Sequence, residues 1–210
     1  MNIPRGIMRV KGEDSFRQVG GWTGKRGVKQ VVRGEKTVLR PLNDADIEVI
    51  CQWEADQHIA TAAFEHTDRR LSVSEEYMSR VHARTTRMFA IEAKDGVLIG
   101  DIGLVEINWR RGEAELVVRI GHPEYLGKGY GHDAVSSLLG HMFSTTKLDR
   151  VYLRVLADNV PAVKCFEKCG FKKNWVMTRQ ITREQPPKKL FLMAIERDGR
   201  DSEIGSNKAS

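Results

Sequence analysis

No stretch of this 210-residue chain is apolar for the roughly 20 residues that a membrane-spanning helix needs. The N-terminus carries charges where a secretory signal would have an apolar core, so a cytoplasmic location is expected. Cysteine is scarce: Cys51, Cys165 and Cys169 form an odd, sparse set that gives no disulfide framework. Cys165 and Cys169 lie four apart in a predicted helix, with no histidine close to them in sequence. Two thiols fall short of a four-ligand zinc site, so no metal is expected and burial is their expected role. What is present is ordinary for a globular domain: 40% hydrophobic and 30% charged residues, in a length that buries a real core.

The net charge of +6 is confined to one end. Residues 1–34 hold eight basic side chains and two acidic ones, a surplus equal to that of the whole chain. They also hold seven glycines and no sustained apolar periodicity, which predicts a flexible basic arm. The arm lacks the interleaved aromatics of a nucleic-acid binder, so nucleic acid is not expected as a partner. Residues 35–196 form the predicted domain, and the polar stretch 197–210 reads as a disordered tail.

Within the domain the pattern is regular. Lys36 to Leu42 predicts a short strand, and Asn43 caps a helix through Ile47, Ile50 and Trp53. Ser72 and Glu75 make a capping box for a second helix carrying Tyr77, Met78 and Val81. Arg87 to Ala93 and Val97 to Asn108 predict strands joined at Asp95-Gly96, a hairpin signal, followed by a strand from Glu113 to Gly121. Gly131 to Thr145 places Ala134, Val135, Leu138, Leu139, Met142 and Phe143 on one helical stripe. A buried strand (Arg150 to Leu156), a short helix ending at Gly170 and two strands (Lys172 to Thr182, Leu190 to Ile195) complete the order. The sum is an α+β fold: a mixed sheet with helices on both faces.

The chemistry gathers where the Glu113 strand hands over to the following helix. Gly127, Gly129 and Gly131 alternate with Lys128 and Tyr130. Glycine admits positive φ and lets backbone amides approach a ligand with no Cβ in the way. The helix start adds unpaired N–H groups and a partial positive charge, an arrangement that suits phosphate. The loop matches neither a Walker pattern, because Gly129-Tyr130 stands where Lys-Ser/Thr is needed, nor a dinucleotide fingerprint.

The run from Glu115 through Ile120-Gly121, Glu124-Tyr125 and Gly127-Lys128-Gly129-Tyr130-Gly131 strongly resembles the acetyl-CoA motif of the GNAT superfamily of N-acetyltransferases. Its flavour is that of the branch with ribosomal-protein-alanine and spermidine acetyltransferases. A second block, Asn159, Ala162 and Phe166-Glu167-Lys168-Cys169-Gly170-Phe171, is similar to another signature of the same family. Val38-Leu39-Arg40-Pro41-Leu42 and the Trp53 helix resemble its first strand and helix. The resemblance implies a mostly antiparallel central sheet and acetyl-CoA as co-substrate. It also implies that the strand before the loop splays from its neighbour, so that Val118, Arg119 and Ile120 pair with the pantetheine amides. Leu126, Gly127, Lys128, Gly129, Tyr130 and Gly131 would then give amides to the pyrophosphate. Asn159 would meet the pantetheine arm, and Phe166 would lie near the thioester sulfur. Two departures stand out: Leu126 replaces a frequent Gln or Arg, and Phe166 replaces the tyrosine that protonates the leaving thiolate in many members.

The implied reaction is direct attack of a primary amine on the thioester. An alkyl ammonium has a pKa of about 10.4, so only about one amine in a few thousand is neutral near pH 7 and a base helps. Glu113 and Glu115 alternate onto one face of the strand entering the site, and Glu106 lies on the preceding strand. Glu115 is the first candidate base and Glu106 the second. Strand amides near Val118 to Ile120 would stabilise the thioester oxygen. His122 and His132 flank the loop and carry ordinary surface expectations, while Trp53, Phe64 and Tyr77 are candidates to line the acceptor side. The acceptor expected is a small-molecule amine or a protein N-terminus, without a membrane and with a homodimer admitted. Two rival readings stand beside this one: a catalytically silent acyl-CoA-binding module, suggested by Phe166, and an RNA- or ribosome-associated protein using the basic arm.

Overall fold

The structure is a computed structural model that describes residues 31–55, 83–180 and 186–197. Its centre is one eight-stranded sheet in the order β1-β2-β3-β4-β5-β6-β8-β7. The strands are β1 (Val32–Arg33), β2 (Thr37–Pro41), β3 (Arg87–Ala93), β4 (Leu98–Asn108), β5 (Glu113–Ile120), β6 (Arg150–Leu156), β7 (Lys172–Arg179) and β8 (Lys188–Glu196). Every neighbouring pair is antiparallel except β5 and β6, which run parallel. Among the described residues the helices are α1 (Asp44–Ala55), α2 (Tyr130–Thr145) and α3 (Val160–Lys168). Among the described helices none is long and apolar enough to cross a membrane. The expected capping-box helix from Ser72, with Tyr77, Met78 and Val81, lies outside the described residues, as does Phe64.

Strand alternation sorts the side chains into two layers. Leu39, Phe89, Ile91, Ile102, Leu104, Leu116, Val151 and Leu153 share one core with the α2 stripe Ala134, Val135, Leu138, Leu139 and Met142, and with Val163 and Phe166 of α3. Arg40, next to Leu39 in β2, points the other way and bonds to Asp46 in the first turn of α1. Helices therefore cover both faces: α2 and α3 on one, α1 on the other. Asn43 caps α1 as expected, accepting from the Asp46 N–H at 2.9 Å while its own N–H donates to the Asp46 carboxylate. Gly96, at φ 88°, closes the β3–β4 hairpin, where a left-handed backbone favours glycine.

Two expected boundaries move. Val32 and Arg33, assigned to the flexible arm, pair with β2, and Val32 is buried against the core. Arg197, assigned to the tail, donates to the carbonyls of Thr146 and Leu148, closing the chain after β8 onto the end of α2. Both changes rest on a few specific contacts that composition does not reveal. The end of β7 also falls at Arg179, short of the expected Thr182, a residue outside the described set.

One fastening joins the start of the sheet to the start of α2. Asp133 accepts from the N–H groups of Glu35 (2.9 Å), Lys36 (3.1 Å) and Thr37 (2.9 Å) and from the Thr37 hydroxyl (2.6 Å). Burial opposes its charge, but the donors of Thr37, Lys36 and Glu35 outweigh it and hold the carboxyl below its usual pKa. A carboxylate with a lowered folded pKa stabilises the fold above its unfolded pKa and loses that contribution as pH falls through the folded value. Asp133→Asn is therefore expected to cost about 1–3 kcal/mol near neutral pH. It should also flatten the loss of stability on acidification, as read by denaturant unfolding at pH 7 and below pH 4.

Candidate active site

The parallel pair β5 and β6 stays together for only three residue pairs, Glu113 with Arg150, Ala114 with Val151 and Glu115 with Tyr152. Beyond them β5 continues to Ile120 bonded to β4, and β6 continues to Leu156 bonded to β8. Among the described residues, the facing edges from Leu116 to Ile120 and from Leu153 to Leu156 have no strand between them. A wedge thus opens toward the end of β5, edged by the backbone of Val118, Arg119 and Ile120. Backbone N–H and C=O groups at such an edge need partners, which an extended, amide-bearing ligand can supply.

The glycine-rich loop stands where β5 ends. Pro123–Tyr125 form one 3-10 turn, and Tyr125 donates its hydroxyl to Asp95 at 2.9 Å, tying the turn to the β3–β4 hairpin. Aromatic edges then step from His122 to Tyr125 to Tyr130, with centroids 5.0 and 5.1 Å apart. Gly127 (φ 69°) and Gly129 (φ 86°) are left-handed, and Gly129 is the residue before the first turn of α2. A Cβ on Gly127 would meet nothing within 4 Å, so backbone conformation, not crowding, is what asks for glycine there. The first intrahelical bond of α2 runs from Asp133 N–H to the Gly129 carbonyl. Tyr130, Gly131 and His132 therefore present their N–H groups past the helix end. Leu126 and Lys128 are exposed beside them. A diphosphate fits this end on both counts, donors and dipole.

The face of the sheet turned away from α2 carries the charges. Glu115 is 2% exposed, and both its oxygens are taken by Arg154 of β6, through Nε at 2.8 Å and through Nη2. That pairing, with the charge of Glu106 adding to it, raises the Arg154 pKa further. Arg119 is equally committed, its Nε donating to Asp101 at 2.8 Å, with both side chains buried. Its side chain thus faces away from the loop while its backbone edges the wedge. Glu106 differs from both. It is exposed, sits where the β4–β5 register slips, and holds φ 51°, the one positive non-glycine φ among the described residues. Bulges of this kind re-aim a side chain, and a non-glycine residue there stores strain. Tyr152 donates its hydroxyl to Glu106 at 3.2 Å. Burial, with the charges of Glu115 and Glu106 added, pushes the Tyr152 phenol up to about 12, so it stays protonated as a donor.

The remaining expected residues belong to α1, to α3 or to the caps of α3. Asn159 caps α3 and accepts from the Ala162 N–H at 3.2 Å, so its side-chain oxygen is used within the fold. Phe166 is buried in the core with its ring edge to Phe171, 5.9 Å between centroids. Trp53 of α1 lies over the end of β5: a Cβ on Gly121 would come within 2.1 Å of its ring. Cys165 of α3 and Cys169 at its C-cap are half-buried without a disulfide. Hydrogen bonding from Cys165, opposed by burial and helped by Ser136, brings the Cys169 thiol down to about 7, while the same bond together with burial pushes Cys165 up. Among the described residues no group of three or more His, Cys, Asp or Glu side chains could hold a metal ion.

Sequence reasoning missed Asp101, Tyr152 and Arg154. Their signal was available: in Arg150-Val151-Tyr152-Leu153-Arg154 the polar members alternate onto one face, and Asp101 interrupts an apolar strand. The buried Glu115–Arg154 pair makes Glu115→Gln costly, because it leaves a guanidinium facing a neutral amide. Glu115→Gln is expected to lower unfolding stability by about 1–3 kcal/mol, and Glu106→Gln by less than about 0.5 kcal/mol as an exposed substitution. Paired denaturation curves check the contrast.

Comparison with known proteins agrees with this geometry. Residues 36–172 match the family model described as an acetyltransferase (GNAT) domain. The chain is 29% identical over 159 residues to a spermidine N(1)-acetyltransferase of Vibrio cholerae serotype O1, covering 74% of this chain and 91% of the relative. It is 31% identical over 136 residues to the spermidine N(1)-acetyltransferase of Escherichia coli strain K12, covering 63% and 71%. Among solved structures, spermidine N-acetyltransferase from Vibrio cholerae in complex with CoA and spermine superposes with a TM-score of 0.67 at 26% identity, over 77% of this chain and 95% of that one. The chain belongs to the GNAT acetyltransferase family, and it is an acyltransferase that moves the acetyl group of acetyl-CoA to an amine.

Proposed function

We propose that this enzyme acetylates a polyamine, with Glu106 receiving the proton of the attacking amine. The observation that carries the reading is the exposed, strained Glu106 at the bulge, beside the wedge and on the charged face of the sheet. A carboxylate there attracts a cationic acceptor and then takes its proton. The relatives named for spermidine, and the solved one holding CoA with spermine, support an acceptor of that class. The likeness also extends to a dodecameric spermidine N-acetyltransferase of Vibrio cholerae, and self-association is read for this chain on that ground.

In this reading acetyl-CoA lies along the wedge, its pantetheine amides on the Val118–Ile120 backbone and its diphosphate on the amides of residues 126–131. The amine nitrogen attacks the thioester carbon, the C–S bond breaks, and the nitrogen proton passes to Glu106 directly or through one water. Strand amides hold the carbonyl oxygen as it gains charge. Tyr152 keeps Glu106 aimed and stays protonated itself. Phe166 has no proton to give, so the thiolate leaves unassisted by that position; a simple thiol has a pKa near 8.5, which makes this tolerable. Glu115 holds Arg154 in place, and its role as first candidate base passes to Glu106.

An acceptor panel followed by CoA thiol release tests the substrate class. Spermidine and spermine are expected to exceed an aminoglycoside and an N-terminal peptide by at least about tenfold in kcat/KM, roughly 1.4 kcal/mol of discrimination. Equal rates, or a preference for the peptide, would remove the polyamine reading. Glu106→Gln is expected to lower kcat by about 100-fold or more with unchanged CoA affinity, and to erase the acid limb of the pH–rate profile. A variant whose profile keeps that limb would return the assignment to another group.

A further inference from the structure

Lys36 lies ninety residues from the glycine-rich loop in sequence, yet its ammonium is fixed upon it. Nζ donates to the Lys128 carbonyl at 2.9 Å and lies 5.7 Å from the centre of the Tyr130 ring. A Cβ built on Gly129 would sit 3.5 Å from the same nitrogen. The charge therefore stands at the residue that begins α2, among the amides that point past the helix end. Asp133, the nearest carboxylate of the first turn, does not neutralise it. Both Asp133 oxygens are engaged by the backbone of Glu35, Lys36 and Thr37 and by the Thr37 hydroxyl. Those bonds hold the backbone from which Lys36 projects, which reduces the freedom a surface lysine normally loses when it binds. Among the described residues Lys36 makes no ion pair, and one carbonyl contact leaves two of its three N–H groups for a ligand.

We infer that Lys36 is a phosphate ligand of acetyl-CoA: a cation supplied from the β1–β2 connection that completes the anion site of the loop. Backbone amides and a helix dipole supply partial charges; the loop's own Lys128 contributes its carbonyl to hold Lys36. A full charge over Gly129 and Tyr130 gives the site what those groups lack. Lys36 also links cofactor binding to the sheet edge, because Asp133 fastens the same segment. This inference rests on the placement of the CoA phosphates at residues 126–131.

The test measures CoA binding by calorimetry and KM for acetyl-CoA in Lys36→Ala, Lys36→Arg and Gly127→Val, the last because a β-branched residue is rejected at a left-handed position. Lys36→Ala is expected to weaken CoA and raise KM about 5- to 20-fold with kcat within twofold, and Lys36→Arg to restore most of the affinity. Repeating the measurement with dephospho-CoA locates the contact: an unchanged penalty places Lys36 on the diphosphate, and a vanished one on the 3′-phosphate. A folded Lys36→Ala protein that binds CoA like the parent, while Gly127→Val binds it poorly, overturns the role of Lys36 and leaves the loop assignment standing. Parent-like binding by both variants overturns the loop assignment itself.

Discussion

Two parallel strands that part after three residue pairs set the geometry of this enzyme. Glu113 to Glu115 hold β5 against β6, and from Leu116 onward the two strands follow different neighbours, β4 and β8. Leaving one strand edge unpaired costs backbone hydrogen bonds, which a fold accepts only where something else takes them up. An extended cosubstrate with amides of its own is such a partner. The same parting leads β5 to the loop and the start of α2, so an edge suited to an extended chain runs directly into a loop suited to phosphate.

Around that wedge the sheet separates tasks by face. The α2 side is apolar and closed, with Leu138, Leu104, Leu153 and Phe166 among its core members. The opposite side carries Arg40–Asp46, Arg119–Asp101 and Arg154–Glu115. In all three pairings the carboxylate already has a guanidinium partner, an arrangement that holds neighbouring elements in place. Glu106 is set apart by the bulge that turns it outward, and by a tyrosine that burial keeps protonated. The proposed base is thus one irregular residue on an otherwise regular strand.

Much of the fold was legible because hydrophobic periodicity acts locally. The α2 stripe, the β6 strand and the Asn43 cap are all signalled by neighbouring residues, and all are present. The loop was legible because Gly127 and Gly129 answer to backbone conformation alone. What stayed hidden depends on distant residues meeting. Nothing near Glu115 in sequence announces Arg154, 39 residues on, so its buried ion pair has no local signal. Nothing near Lys36 announces Lys128, and nothing within residues 1–34 announces that Val32 pairs with Leu39. The Glu106 conformation has no local signal either, because a bulge is a property of two strands in register, which one strand does not show.

The central claim is that the β5 edge and the loop amides together hold acetyl-CoA. Amide hydrogen exchange with and without CoA addresses it residue by residue. The account predicts that CoA slows exchange at Val118 to Ile120 and at Gly127 to His132, while the amides of β7 and β8 stay unchanged. Slowing confined to other strands, with these two segments exchanging as before, would contradict it.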